Sequence, residues 1–196
     1  MFLKDIDFKE FNLKKNISLK KKLNKILSKK NSVIDSLGKN YINSYDKKLL
    51  NKYKKFLNFR VIGMGGSILG TQAIYDFLGY KIKKKFQFIN NLDSSLKNKT
   101  KEKYVNLIVS KSGNTIETIA NVNLFVKKTD HNIFITENKK SYLFLLANKL
   151  KSEIIHHNNF IGGRYSVLSE VGMLPAELMG LNANNFKNYN ISESNN

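Results

Sequence analysis

The 196-residue sequence predicts an α/β fold: a three-layer α/β/α sandwich around a central parallel five-stranded sheet, preceded by N-terminal helices. Three observations carry that reading. From Phe59 onward, short apolar runs alternate with helical patterns, the rhythm of strands buried on both faces with crossover helices between them. The first such run enters a glycine cluster and then a helix, in RVIGMGGSILGTQAIYDFLG, Arg60 to Gly79. The third run enters a hydroxyl-rich loop, SKSGNT, Ser110 to Thr115, followed by another helical pattern.

Residues 1–13 place Phe2, Leu3, Ile6, Phe8 and Phe11 at scattered positions and read as an irregular or strand-like lead-in. Residues 17–37 place Ile17, Leu23, Ile26, Leu27, Val33, Ile34 and Leu37 mostly three or four apart. That is an amphipathic helix with a break near Asn31-Ser32, its lysines forming a solvated face rather than a membrane-binding one. Residues 44–57 repeat the pattern with Tyr45, Leu49, Tyr53, Phe56 and Leu57. Strands are predicted at 59–62, 86–89, 105–109, 133–136 and 153–156, with helices at 67–78, 114–127 and 141–150 between them. After the fifth strand, Gly162-Gly163-Arg164-Tyr165-Ser166 leads into a helix face of Val167, Val171, Leu174 and Leu178, which Pro175 is expected to kink or restart. The stretch beyond Leu181 is asparagine-rich and shows no packing pattern.

Composition excludes several classes. Hydrophobic residues make up 41% of the chain, which argues against disorder throughout. The absence of cysteine excludes disulfides and cysteine-built metal sites, and three histidines argue against a histidine-built one, so no metal is expected; no cofactor is expected either. His131, His156 and His157 are read as surface or core residues. No apolar run approaches the ~20 residues needed to span a bilayer. Charges interrupt the opening MFLKDIDFKEF before any secretory core forms, so no membrane association and a cytoplasmic location are expected. The formal net charge of +19 raises nucleic acid as a partner. The basic residues are lysines except at Arg60 and Arg164. Base readout and bidentate phosphate contacts favour arginine, so no nucleic-acid partner is expected.

Three clusters could carry chemistry. Gly63, Gly65, Gly66 and Ser67 form a strand–turn–helix junction where backbone N–H groups can face an anion. An ordinary tight turn would look the same. In the second cluster, Ser110, Lys111, Ser112, Gly113, Asn114 and Thr115 put hydroxyl donors and an ammonium at a strand terminus. Asn114 is the expected N-cap of the following helix, with Glu117 completing a capping box. In the third, Arg164 is either paired to a carboxylate or stabilises negative charge on a substrate oxygen, and the segment alone leaves both open.

In this order, GMGGSILG, SKSGNTIET and GGRYSVLSEVGMLP resemble the glucose-6-phosphate isomerase (phosphoglucose isomerase) family over residues ~59–182. The resemblance implies a flavodoxin-like sugar-isomerase (SIS) domain at 58–182, a helical lead-in at 1–57, and at 183–196 a tail that begins a missing second domain. It implies that Gly66 and Ser67 contact a sugar phosphate, and that Ser110, Lys111, Ser112, Gly113, Asn114 and Thr115 form the main phosphate loop. Arg164 matches an arginine beside the enediol oxygens, and Glu117 a carboxylate that orients the family's catalytic lysine. The implied reaction interconverts glucose 6-phosphate and fructose 6-phosphate through a cis-enediol, in glycolysis and gluconeogenesis. Full-length members are homodimers. Their catalytic glutamate, histidine and C-terminal lysine follow the second sugar-isomerase domain, beyond the region matched. The expectation is an N-terminal fragment that binds the phosphosugar and is inactive alone; the alternative is a stand-alone sugar-phosphate-binding module or sensor.

Overall fold

The computed structural model describes residues 17–29, 31–92 and 102–187. The strand-like lead-in expected at 1–13 lies outside them. By its contacts the chain divides into Met1–Asn31 and Ser32–Asn196. In the first unit the described element is helix α1, Ile17–Leu27, with none of its residues buried. In the second, helix α2, Ser32–Leu37, and helix α3, Lys47–Tyr53, precede the sheet. The expected long helix is thus interrupted between Leu27 and Ser32. Asp46 caps α3, its Oδ1 accepting from Leu49 N at 2.8 Å, a bond that satisfies one of the orphan donors of the first turn.

The sheet contains β1 (Asn58–Gly63), β2 (Lys85–Ile89), β3 (Val105–Val109), β4 (His131–Thr136) and β5 (Glu153–His156). Every pairing is parallel, in the order β2-β1-β3-β4-β5. The helices that connect and cover it are α4 (Leu69–Leu78), α5 (Ile116–Phe125), α6 (Tyr142–Lys149) and α7 (Glu170–Leu178).

Strand alternation sorts the core into two layers. Phe59, Val61, Val105, Leu107, Val109, Ile133 and Ile135 pack toward Leu49, Leu50 and Tyr53 of α3 and Val171, Leu174 and Leu178 of α7. Their neighbours Ile62, Ile89, Ile108 and Phe134 face Val122 and Phe125 of α5 and Leu143 and Ala147 of α6. Full burial of such side chains contributes roughly 1.5–3 kcal/mol each, which is why continuous apolar runs settle in the middle of a covered sheet. Among the described residues no helix is long and apolar enough to cross a membrane.

Two expectations require correction. Pro175 does not restart α7, which runs through it from Glu170 to Leu178. Proline cannot donate to the carbonyl four residues back, here that of Val171. The buried Thr71 hydroxyl of α4 donates to Val171 O instead, at 3.3 Å. Residues 182–187 of the segment after Leu181 are also packed, while 188–196 lie outside the described residues. Ala183–Phe186 forms a 3-10 turn, with Ala183 buried and Phe186 packed against Met173 and Ala176 of α7.

Candidate functional site

The strand order makes β1 the point where the chain reverses direction across the sheet, proceeding first to β2 and then back to β3 on its other side. Ligands of open α/β sheets bind in the crevice outside the strand C-termini at such a switch point. Gly63 at the end of β1 pairs in register with Val109 at the end of β3. The glycine cluster and the hydroxyl-rich loop therefore leave the sheet side by side.

The first loop is a 3-10 turn, Gly65–Ser67, closed by Ser67 N donating to Met64 O and Ile68 N donating to Gly65 O. Gly65 adopts φ +55°, a conformation that glycine adopts without a Cβ clash. Gly66 and Ser67 are partly exposed.

The second loop is wound tightly at the end of β3. Gly113 adopts φ +66°, and a Cβ there would lie 2.1 Å from Ser141 Oγ. The buried Ser110 hydroxyl accepts from Gly113 N at 3.2 Å and lies 3.1 Å from Thr115 Oγ1. Ser112 Oγ accepts from Asn114 N at 3.3 Å. These bonds hold the serine and threonine oxygens around one turn of backbone.

Here the expected cap differs. Helix α5 starts at Ile116, with Thr115 as its N-cap and no side-chain capping bond. Asn114 Oδ1 instead accepts from Tyr142 N at 2.9 Å, satisfying a free donor at the start of α6. Asn114 thus stitches this loop to the next helix, and the predicted capping box does not form. The Glu117 carboxylate makes no hydrogen bond or ion pair among the described residues.

The third cluster meets the first. Gly163–Leu168 is a 3-10 turn that follows β5. A Cβ on Gly66 would fall 2.3 Å from the carbonyl carbon and oxygen of Gly163 and 2.8 Å from Arg164 N. Ser166 Oγ donates to Gly163 O at 2.7 Å and lies 3.4 Å from Gly66 O. Arg164 is exposed, and its guanidinium makes no hydrogen bond or ion pair among the described residues. Of its two sequence readings, the carboxylate-paired one does not occur here. Arg60 is buried instead, with Nε on Gln87 Oε1 and its guanidinium over the Tyr104 and Phe125 rings. One arginine is structural and the other is exposed at the sheet edge.

Lys111 ties the second loop to the segment that carries Arg164. Its Nζ donates to Asn159 O at 2.7 Å and lies 3.6 Å from Glu137 Oε1. No sequence signal points to these partners, because both come from loops after other strands. Nor does any point to the buried pair His157 and Glu170, whose Nδ1 and Oε1 are 3.8 Å apart. Burial lowers the His157 pKa, outweighing the opposing pull of the Asn158 carbonyl and the Glu170 carboxylate. His156 is exposed and His131 packs edge-on against Phe56. Among the described residues no group of three or more His, Cys, Asp or Glu is placed to hold a metal ion.

Comparison with known proteins places these features in context. The phosphoglucose isomerase family model matches residues 50–190. Glucose-6-phosphate isomerase of Carboxydothermus hydrogenoformans is 35% identical over 153 residues, covering 66% of this chain and 33% of that protein. The enzyme of the same name from Methanocaldococcus jannaschii is 38% identical over 140 residues, covering 63% of this chain and 33% of that protein. The chain therefore spans about a third of the length of these curated relatives. Among solved structures, a hypothetical protein from Thermus thermophilus superposes with a TM-score of 0.67 at 21% identity, over 91% of this chain and 50% of that one. The c3406 protein of E. coli, solved as a complex, gives 0.56 at 15% identity, over 88% of this chain and 97% of that one. At these identities the structural likenesses establish the fold.

Proposed function

This chain belongs to the phosphoglucose isomerase family, and from that premise we propose that it supplies the phosphosugar-binding half of a glucose-6-phosphate isomerase site. The observation that carries the reading is the meeting of three loops at one sheet edge: 63–67, 110–115 and 157–166. In this reading the phosphate is bound by Gly66 and Ser67 of the first loop and by the Ser110–Thr115 loop, whose Ser110, Ser112 and Thr115 hydroxyls and Lys111 ammonium are the donors it offers. Lys111 adds positive charge beside it. Arg164, with no carboxylate partner among the described residues, is available to a sugar oxygen.

In the proposed reaction a base removes the proton on the carbon next to a carbonyl, a cis-enediol forms, and the proton returns to the neighbouring carbon. Negative charge develops on the sugar oxygens, and a guanidinium that keeps its proton stabilises it. Glu117 is placed in this reading as an orienting carboxylate. In this reading the family's proton-transfer glutamate, ring-opening histidine and lysine follow the second sugar-isomerase domain, and residues 1–196 by themselves bind the phosphosugar without turning it over. The working enzyme is a cytoplasmic homodimer of glycolysis and gluconeogenesis.

A second reading is a phosphosugar-binding module without catalysis. Calorimetric titration of the chain with glucose 6-phosphate tests the site common to both readings. Substituting Ser110→Ala and Ser112→Ala together is expected to abolish binding, and unchanged affinity would refute the assignment. Assay of the chain for isomerisation tests the first reading, where turnover in the ordinary enzyme range of ~1–1,000 per second would contradict inactivity alone.

A further inference from the structure

Behind the exposed loops lies a buried polar group that the reading above leaves unused. Glu170, in the first turn of α7, is 1% exposed, and each of its carboxylate oxygens accepts a hydrogen bond. Oε1 accepts from the backbone N–H of Asn158 at 2.8 Å, and Oε2 accepts from the Tyr41 hydroxyl at 3.2 Å. His157 Nδ1 lies 3.8 Å from Oε1. The Lys187 ammonium, also buried, sits over the Tyr41 ring and attracts the carboxylate. Burying such a carboxyl group is costly unless it is hydrogen-bonded, and these two bonds offset that cost.

The Asn158 bond has a consequence beyond stability. Asn158 is the hub of the loop after β5. Its side-chain Oδ1 accepts from Phe160 N at 2.9 Å, and its carbonyl accepts from Ile161 N at 3.2 Å. Holding its N–H therefore sets the course of residues 158–161. The next carbonyl, Asn159 O, is the one that receives Lys111 Nζ at 2.7 Å. The path from Glu170 to Lys111 thus consists of two hydrogen bonds and the backbone of two residues, Asn158 and Asn159.

We propose that Glu170 is a positioning residue: it fixes the 158–161 loop through Asn158 N–H and thereby sets where the Lys111 ammonium stands beside the phosphate loop. The consequence for ligand affinity rests on the phosphosugar reading above; the positioning itself does not. Gln at this position keeps an acceptor for Asn158 N–H, Asp retracts it, and Ala removes it.

The test measures the acylation rate of each lysine in the folded full chain with a small amine-reactive ester, mapped by peptide mass spectrometry. Lys85, paired with Glu102 at 3.2 Å on the surface, is the internal reference. Glu170→Ala and Glu170→Asp are expected to raise Lys111 labelling relative to Lys85 by about tenfold, the equivalent of one hydrogen bond to a charged group. Glu170→Gln is expected to stay within about twofold of the wild type, since its acceptor remains. Unchanged Lys111 labelling in the Asp and Ala variants would overturn the proposal, as would an equal rise at Lys85. Titration with inorganic phosphate separates the two readings. If Lys111 labelling responds but the wild-type chain binds no phosphate, the ligand assignment fails and the positioning stands. If phosphate binds and labelling does not respond, the reverse holds.

Discussion

Gly66 and Gly163 stand so close that a Cβ on the first would lie 2.3 Å from the carbonyl of the second. Two loops from opposite halves of the domain thus share a contact that tolerates no side chain. Gly66→Ala must push the 163–168 turn away, because backbone rather than a flexible side chain blocks it. The expected loss is about 1–3 kcal/mol of unfolding free energy, the scale of overpacking, together with weaker phosphosugar binding. Urea denaturation and calorimetry check both. A variant with wild-type stability and affinity would show that the contact is dispensable.

The Thr71 hydroxyl and the Val171 carbonyl explain how a proline sits inside α7. Thr71→Val keeps the shape but strands a buried carbonyl, which costs about 1–3 kcal/mol. The cost is conditional on the proline. Pro175→Ala restores an N–H four residues along, so adding it to Thr71→Val should recover much of the loss. A double-mutant cycle in denaturant measures the coupling. Strictly additive effects would contradict this account.

How much of this is legible in the sequence follows from what each element depends on. The β3 strand falls where the apolar run places it, because a strand covered on both faces needs only local apolar continuity. The glycine cluster and the Ser110–Thr115 loop are visible because φ > 0 and hydroxyl content are properties of single positions. Asn114 looks like the cap of α5 because its true partner, Tyr142 N, lies on another helix. Thr71, Lys111 and Glu170 are silent for the same reason: each acts on a group distant in sequence. Lys187 and Ala183 read as an unpacked tail because composition does not reveal the partners, Tyr41 for one and α7 for the other, that bury them.

Asn114 can be divided into two roles by charge. Its Oδ1 satisfies Tyr142 N at the start of α6, so Asn114→Ala should destabilise the domain by about 1 kcal/mol. Asn114→Asp retains the acceptor and should keep the stability. In the proposed site, however, the new carboxylate faces the phosphate and should weaken its binding severalfold, more so at low ionic strength. Thermal unfolding and phosphate titration at two salt concentrations distinguish these effects. If Asp and Ala lower affinity equally, Asn114 does not adjoin the anion.

His157 should make the domain acid-sensitive. The side chain is fully enclosed, and its Nε2 has no hydrogen-bond partner among the described residues. Facing it are the Asn158 carbonyl, the Glu170 carboxylate, the Lys111 ammonium and Glu137. Burial and Lys111 disfavour a second proton, whereas the other three favour it, and burial is the largest influence, so the folded pKa lies below the ordinary 6.5. The unfolded chain then binds more protons than the folded one at pH values between the folded pKa and the ordinary value. Stability therefore rises with pH across that window. The contribution is complete above pH ~6.5 and is lost as pH falls toward the depressed folded value. His157→Gln removes the titrating group while keeping a polar side chain of similar reach. Urea midpoints measured from about pH 7.5 to about pH 5 should fall more steeply for the wild type than for the variant. Parallel curves would mean that His157 is protonated in the native state or that the acid response comes from the carboxylates.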